Sequence, residues 1–254
     1  MPSLDISRLD PQPAGFGQCG VCPYRDVGSA AVCFACASQR MQALPAQRCM
    51  TCDQALPASG TCSNYWCRRP ASERHFQFIY AIAMRSGYLE SAINAYKYSQ
   101  RKGWASIFGR VLVGYLDDMD DAFTTYDLIV ASPTYTAPRA RRSWDHIGLI
   151  LDRAHVEAAG RWPFDLGPTR AIVKVRDTPS LVGKRLVERR TIAEHDIRGS
   201  LHIPNPAAIR GRSVLVFDDV FTDGSTLREV ARALRRSGAE MVAGIVLARQ
   251  PWTR

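Results

Sequence analysis

The stretch Val214-Leu-Val-Phe-Asp218-Asp219-Val220-Phe-Thr222-Asp223-Gly224-Ser225-Thr226 decides the fold. Its four leading apolar residues predict a short buried strand over 213–217, which delivers Asp218 and Asp219 to the carboxyl edge of a sheet, where open α/β folds bind ligands. Two adjacent acids at a strand tip repel each other, so they call for a ligand or a metal. Thr222, Gly224, Ser225 and Thr226 combine hydroxyls with one glycine at a helix start. There, backbone N–H groups and the helix dipole hold a phosphate. Carboxylates beside such a cradle suit a sugar phosphate: the acids accept from ribose hydroxyls while the loop takes the 5′-phosphate. The helix expected over 225–237 carries its own signals. Thr226 and Glu229 have capping-box spacing, Leu227, Val230, Ala231 and Leu234 form a buried stripe, and Gly238 sits where a C-cap belongs. An acid-ended strand before a capped helix is common in α/β proteins, so the weight rests on the whole string.

Working outward, apolar residues three and four apart predict helices over 89–98 and 104–116. The run 127–132, ended by Pro133, reads as a buried parallel strand feeding a loop. A helix is expected over 143–159 and strands over 171–175 and 241–248. Residues 177–198 are polar and weakly periodic and read as a mobile excursion. This alternation predicts an α/β domain with a mainly parallel sheet flanked by helices.

All eight cysteines lie between Cys19 and Cys67, and the 187 residues after Cys67 contain none, which marks a boundary between a module over 1–72 and a domain over 73–254. The cysteines run Cys19-x2-Cys22, Cys33-x2-Cys36, Cys49-x2-Cys52 and Cys62-x4-Cys67. Two-residue knuckles aim both sulfurs at one tetrahedral ion, so eight thiolates predict two structural Zn²⁺ ions in saturated sites. The tandem pairing, with 19, 22, 33 and 36 around one ion and 49, 52, 62 and 67 around the other, closes each site locally; interleaved pairing is the alternative. Disulfides and redox motifs fit less well, because no secretion signal is visible and redox Cys-x-x-Cys pairs rarely come in quartets. The chain opens Met1-Pro-Ser-Leu-Asp5, an acid where a signal peptide carries basic then apolar residues, and no run is long enough to cross a bilayer. A cytoplasmic protein without membrane insertion is expected.

The formal charge is +9, and it invites a polyanion, either nucleic acid or a phosphorylated small molecule. Residues 1–72 contribute +2 and residues 73–254 contribute +7, so the larger domain carries most of it.

Asp-Asp-Val-x-Thr-x-Gly-x-Thr after a buried strand resembles the phosphoribosyl-pyrophosphate (PRPP) loop of type I phosphoribosyltransferases. The cysteines, Ala95-Tyr-Lys97-Tyr, Ala131-Ser-Pro133, Arg139-Ala-Arg141-Arg142-Ser-Trp-Asp-His146, Arg176-Asp-Thr178, Glu188-Arg-Arg190, Arg198-Gly199, the loop and Leu247-Ala-Arg249 follow the order of the ComF family. The chain is similar to that family over about residues 19–249. The resemblance implies that Asp218 and Asp219, the proposed catalytic pair, hold the ribose hydroxyls of PRPP, with Val220, Thr222, Asp223, Gly224, Ser225 and Thr226 completing the PRPP-binding loop. It places Pro133 and Arg142 at the pyrophosphate, Mg²⁺ with PRPP, and the family's mobile loop at 177–198, where Lys184, Arg185, Arg189 and Arg190 either meet phosphates or stay solvated. Family members are associated with DNA uptake in natural transformation.

This sequence departs from the family's pattern at several places. Asp223 stands where a second threonine is usual, Ser143-Trp-Asp-His146 where Gly-Phe-Asn-Gln is common, Leu181 for a glutamine, and Asp196 and Leu201 for an asparagine and a phenylalanine. Lys97 reads as solvated on its helix, the five histidines as ordinary surface or partly buried residues, and Trp104 and Trp144 as core. Two functions compete: a PRPP-dependent phosphoribosyltransferase releasing pyrophosphate, and a non-catalytic adaptor for single-stranded DNA, or a PRPP sensor, on the same fold. Competence or DNA-uptake proteins are the expected partners.

Overall fold

The structure, a computed structural model, describes residues 41–138, 140, 143–167 and 169–252. Four strands form the main sheet. β1 (Ile79–Met84) leads into helices α1 (Gly87–Tyr98) and α2 (Trp104–Asp118), then β2 (Leu128–Ala131) and α3 (His146–Ala158). Next come β3 (Val173–Lys174), α4 (Leu186–Ile192) and β4 (Leu201–His202), and the chain closes with β5 (Ser213–Phe221), α5 (Ser225–Arg236) and β6 (Met241–Arg249). The sheet order is β1-β6-β5-β2, and each pairing is parallel.

The period of two in β5 explains how one strand serves two cores. Leu215 and Phe217 point to the face covered by α1, α2 and α3, among Ile93, Leu112, Ile150 and Leu151. Val214 and Val216 point to the face covered by α5, where Leu227, Val230, Ala231 and Leu234 form the expected stripe. Parallel strands buried on both faces read as continuous apolar runs, which is why β5 and β6 are legible in sequence. Helices α2 and α3 meet where Gly109 lies: a Cβ there would stand 2.8 Å from the backbone nitrogen of Ala154.

β1 is not among the strands expected from sequence: Ile79-Tyr-Ala-Ile-Ala-Met84 has two alanines and only two β-branched residues, so it lacks the strong apolar run of β5 and β6. It is an edge strand, and the cysteine-bearing segment covers its open side: Ile79 N–H donates to Thr51 O at 2.8 Å, Ala81 N–H to Asp53 Oδ2 at 2.9 Å and Met84 N–H to Gln42 O at 2.9 Å. Covering an edge in this way removes a template for aggregation. Cys49, Cys52 and Trp66 accordingly share one apolar cluster with Ile79, Val246 and Leu227.

Three expectations are corrected. The strand expected over 171–175 shrinks to β3, which pairs antiparallel with β4 in a separate two-stranded ribbon. The excursion 177–198 contains α4, continued by a wider turn over Ala193–Ile197 that packs on α5. Glu188 explains that helix start, its carboxylate accepting from Arg185 N–H at 2.9 Å. Thr226 and Glu229 form no capping box: the N-cap is Gly224, and Glu229 is buried between Arg198 (2.8 Å) and Arg228 (2.5 Å). Gly238 does follow the end of α5 with φ +96°, and Ala239 N–H donates back to Leu234 O at 3.1 Å. Asp145 caps α3 by accepting from Gly148 N–H at 3.0 Å.

Candidate functional site

The site exists because β5 outlasts β2. Pairing between them ends at Phe217 with Ala131, where Ser132 N–H still donates to Phe217 O at 2.8 Å and Pro133 turns the chain away. β5 continues beside β6 to Phe221 opposite Arg249. The strand is therefore four residues longer than its apolar run suggested, and the Asp218–Phe221 stretch has lost one neighbour. That one-sided ending opens a crevice at the carboxyl edge, a cavity of about 280 Å³ bordered by Asp218, Asp219, Lys97, His146, Pro133 and Lys174.

Asp219 lies on the cavity floor, 3% exposed, and its Oδ2 meets Lys97 Nζ at 2.7 Å and His146 Nε2 at 3.5 Å. Burial opposes its ionisation, but Lys97 and His146 together outweigh burial and hold its carboxyl below the ordinary range. Asp218 is half-buried beside it. Burial first, and then the charge of Asp219, push its carboxyl up to about 7, against the pull of Lys97. One carboxylate is thus fixed as an anion while its neighbour titrates near neutrality, the arrangement expected of two acids that cannot both ionise freely.

Lys97 and His146 are the residues that sequence reasoning missed, since the one read as solvated and the other as ordinary. Both arrive through packing. Tyr96, fully buried, donates its hydroxyl to His146 O at 2.6 Å, so the last turn of α1 is tied to the first turn of α3 and both side chains face Asp219. The string Ala95-Tyr-Lys97-Tyr held the signal, a lysine next to an aromatic core residue at the end of an amphipathic helix.

Beyond the acids, Thr222, Asp223, Gly224, Ser225 and Thr226 enclose a recess of about 40 Å³ that shares Asp218, Thr222, Thr226 and Arg189 with the larger cavity. Gly224 starts α5 with φ +89°, and a Cβ there would approach Phe221 Cζ to 2.7 Å, so glycine is required twice over. Asp223 is 4% exposed. Its Oδ1 accepts from Arg189 Nε at 2.9 Å, Arg189 Nη2 stands at 2.8 Å, and Oδ2 accepts from the Ser225 hydroxyl. The carboxylate that stands where the resemblance leads one to expect a threonine therefore comes with its own counter-cation, carried in by α4. Of the four basic residues in 184–190, only Arg189 borders the cavity. Lys184 pairs with Glu188 at 3.8 Å, the Arg185 backbone starts α4, and Arg190 lies over the Tyr65 ring at 4.2 Å. Arg139, Arg141 and Arg142 fall outside the described residues. Trp104 is buried as expected, and Trp144 stands edge-on to Tyr96.

The cysteines bring a second centre. Cys49, Cys52, Cys62 and Cys67 place their sulfurs within 4.8 Å of one another, with Cys52 and Cys62 3.8 Å apart. Four ligands at ~2.3 Å from a tetrahedral ion stand about 3.8 Å from each other, so this quartet fits one Zn²⁺ ion. The knuckle is built locally: Cys52 N–H (3.3 Å) and Asp53 N–H (2.9 Å) donate to Cys49 O, and Asp53 takes φ +54°. Cys19, Cys22, Cys33 and Cys36 fall outside the described residues.

A parallel sheet, a carboxylate pair at its edge and a hydroxyl-rich loop at a helix start define a phosphoribosyltransferase-type domain, and residues 172–254 match the phosphoribosyl transferase domain family. The DNA utilization protein YhgH of Escherichia coli is 27% identical over 212 residues, covering 76% of this chain and 86% of that protein. Its Shigella flexneri counterpart is 26% identical over the same span. The transcriptional regulator GfcR of Halorubrum lacusprofundi is 44% identical over 52 residues, 20% of this chain and 25% of that protein. Residues 172–254 thus carry a phosphoribosyl transferase domain, and the chain, with its cysteine quartet in front of that domain, is similar to the YhgH proteins over most of its length. Among the described residues no helix is long and apolar enough to cross a membrane.

Proposed function

We propose that the chain binds PRPP with Mg²⁺ and transfers its phosphoribosyl group to an acceptor, releasing pyrophosphate. The observation that carries this reading is the continuity of the acid-floored cavity with the loop recess, which lets one ligand place a ribose diol at Asp218 and Asp219 and a 5′-phosphate among Thr222, Gly224, Ser225 and Thr226. Asp219, already anionic and anchored by Lys97, accepts from one ribose hydroxyl, and Asp218 from the other when ionised. Asp223 belongs to the same loop and Val220 to the end of β5 that leads into it, and Pro133 and Arg142 are assigned to the pyrophosphate. A hard cation bound with the substrate supplies charge stabilisation for the leaving pyrophosphate. The transition state at C1 is oxocarbenium-like, so these residues act by positioning and electrostatics. In the same reading, the chain divides near residue 72, two Zn²⁺ ions hold the first part, one by Cys49, Cys52, Cys62 and Cys67 and the other by Cys19, Cys22, Cys33 and Cys36, and the protein works in the cytoplasm. PRPP with Mg²⁺ should raise the melting temperature, and the Asp218→Ala, Asp219→Ala double variant should lose that shift. No shift at millimolar PRPP sinks the proposal.

A second reading, an adaptor for single-stranded DNA in competence, draws on one surface. Arg69 (4.8 Å) and Arg190 (4.2 Å) each lie over the Tyr65 ring, which stands edge-on to the buried Trp66, itself under Arg228 (4.1 Å), and an aromatic among arginines suits a single strand. The name of the E. coli relative points the same way. Salt-sensitive binding of single strands that Tyr65→Ala weakens would support it.

A further inference from the structure

Arg249, the last residue of β6, is fully buried. Its guanidinium reaches in two directions. Toward the cysteine knuckle, Nε donates to Cys52 O at 2.8 Å and Nη2 lies 3.7 Å from Cys52 Sγ. Toward the loop, Nη1 donates to Phe221 O at 3.0 Å and Thr222 O at 2.7 Å. Asn64, which stands between Cys62 and Cys67 and is equally buried, donates to Asp223 O at 3.1 Å while its own oxygen accepts from Trp66 N–H at 3.0 Å. Three successive loop carbonyls are therefore held from the cysteine side.

In a trans peptide the C=O and the following N–H point in opposite directions. Pinning the carbonyls of Thr222 and Asp223 toward the knuckle aims the N–H groups of Asp223 and Gly224 the other way, to the side of the recess. Charge runs in the same sense. A buried guanidinium requires an anion, and four thiolates around a divalent ion carry a formal charge of −2 beside it.

We infer that the Cys49/Cys52/Cys62/Cys67 metal centre and the 222–226 loop are thermodynamically coupled through Arg249 and Asn64, so that metal loading preorganises the phosphate cradle and an occupied cradle tightens the metal. Both are positioning residues, and the ligand half of the inference rests on the function proposed above. By linkage the coupling is reciprocal: whatever factor the metal adds to sugar-phosphate affinity, the sugar phosphate adds to metal affinity.

The test uses the zinc-loaded full chain and its Asn64→Asp variant, which keeps the acceptor for Trp66 N–H and loses the donor to Asp223 O. Arg249→Lys serves as the second variant, retaining charge without the fork. Zinc release to a chromogenic chelator is timed with and without saturating ribose 5-phosphate, and hydrogen exchange is followed across residues 218–227. In the wild type the sugar phosphate should slow release at least threefold. Either variant, at unchanged zinc content, should abolish that dependence, weaken ribose 5-phosphate at least tenfold, and accelerate exchange in 218–227 while β2 and α3 are unmoved. Ligand binding with ligand-independent zinc release overturns the coupling. If ribose 5-phosphate and PRPP do not bind at all, the function proposed above fails, and exchange in 218–227 still judges the coupling: no change in either variant overturns it.

Discussion

The pair Asp218 and Asp219 makes ligand affinity depend on pH in a direction that can be worked out beforehand. Ribose hydroxyls donate to carboxylates, so binding favours the ionised form of Asp218, whose carboxyl is pushed up to about 7 by burial and by Asp219. Only the ionised fraction binds well, and each pH unit below the pKa then costs about tenfold, or ~1.4 kcal/mol. Between about pH 8 and pH 5 the Kd for PRPP should therefore rise roughly 100-fold, with the break near neutrality. Asp219 adds nothing in this window, because it stays ionised. Without ligand the sign reverses for stability. The native state holds a proton on Asp218 that the unfolded chain releases near pH 4, so this group's contribution is present below that pH and is lost as pH rises through about 7, by at most a few kcal/mol. Removing the Lys97 charge by Lys97→Met should move the break upward. Titration calorimetry across this range, on the wild type, Asp218→Asn and Lys97→Met, provides the assay, and Asp218→Asn separates the protein's ionisation from that of the ligand phosphates. A flat wild-type profile, or an unchanged break in Asp218→Asn, would refute the assignment of the titrating group.

Gly224→Ala should cost about 1–3 kcal/mol in urea denaturation and abolish PRPP binding, since the residue sits at φ +89° with Phe221 Cζ 2.7 Å from the new Cβ. Asp223→Thr frees Arg189 and the Ser225 hydroxyl for an anion, so the Kd for ribose 5-phosphate should fall about tenfold by calorimetry, roughly 1.4 kcal/mol; weaker binding would mean that the carboxylate holds the loop together. Glu229→Ala leaves Arg198 and Arg228 without the buried carboxylate they share and should lower stability by about 3–5 kcal/mol in chemical denaturation. Cys62→Ala should lower the bound zinc by one ion per chain in atomic absorption and lower the melting temperature, whereas an unchanged metal content would mean that Cys62 is no ligand.

What was legible in the sequence was contiguous in the chain. Strand, acids, loop and helix lie within about two dozen residues from Ser213, so their periodicity and order survive without tertiary information, and the same holds for Cys49, Cys52, Cys62 and Cys67. The errors fall where partners are distant. Thr226 and Glu229 have the spacing of a cap, yet Arg198 and Arg228 claim Glu229 in the interior. The length of β5 could not be read because its last four residues are held by β6 alone, a pairing set by sheet order.

The sequence by itself determined the class of fold, the position of the acid pair at a sheet edge and the cysteine quartet, because each depends on spacing along one short segment. Tertiary structure decided which cations meet those acids and what holds the loop. Lys97, His146, Arg189, Asn64 and Arg249 come from five separate segments, and each alone looks like a surface, core or solvated residue. Packing excludes water around them, and in that setting Lys97 at 2.7 Å settles the charge of Asp219 while Arg249 and Asn64 set the direction of the loop's carbonyls. The electrostatics of this site thus arise from burial, a property that no stretch of sequence carries on its own.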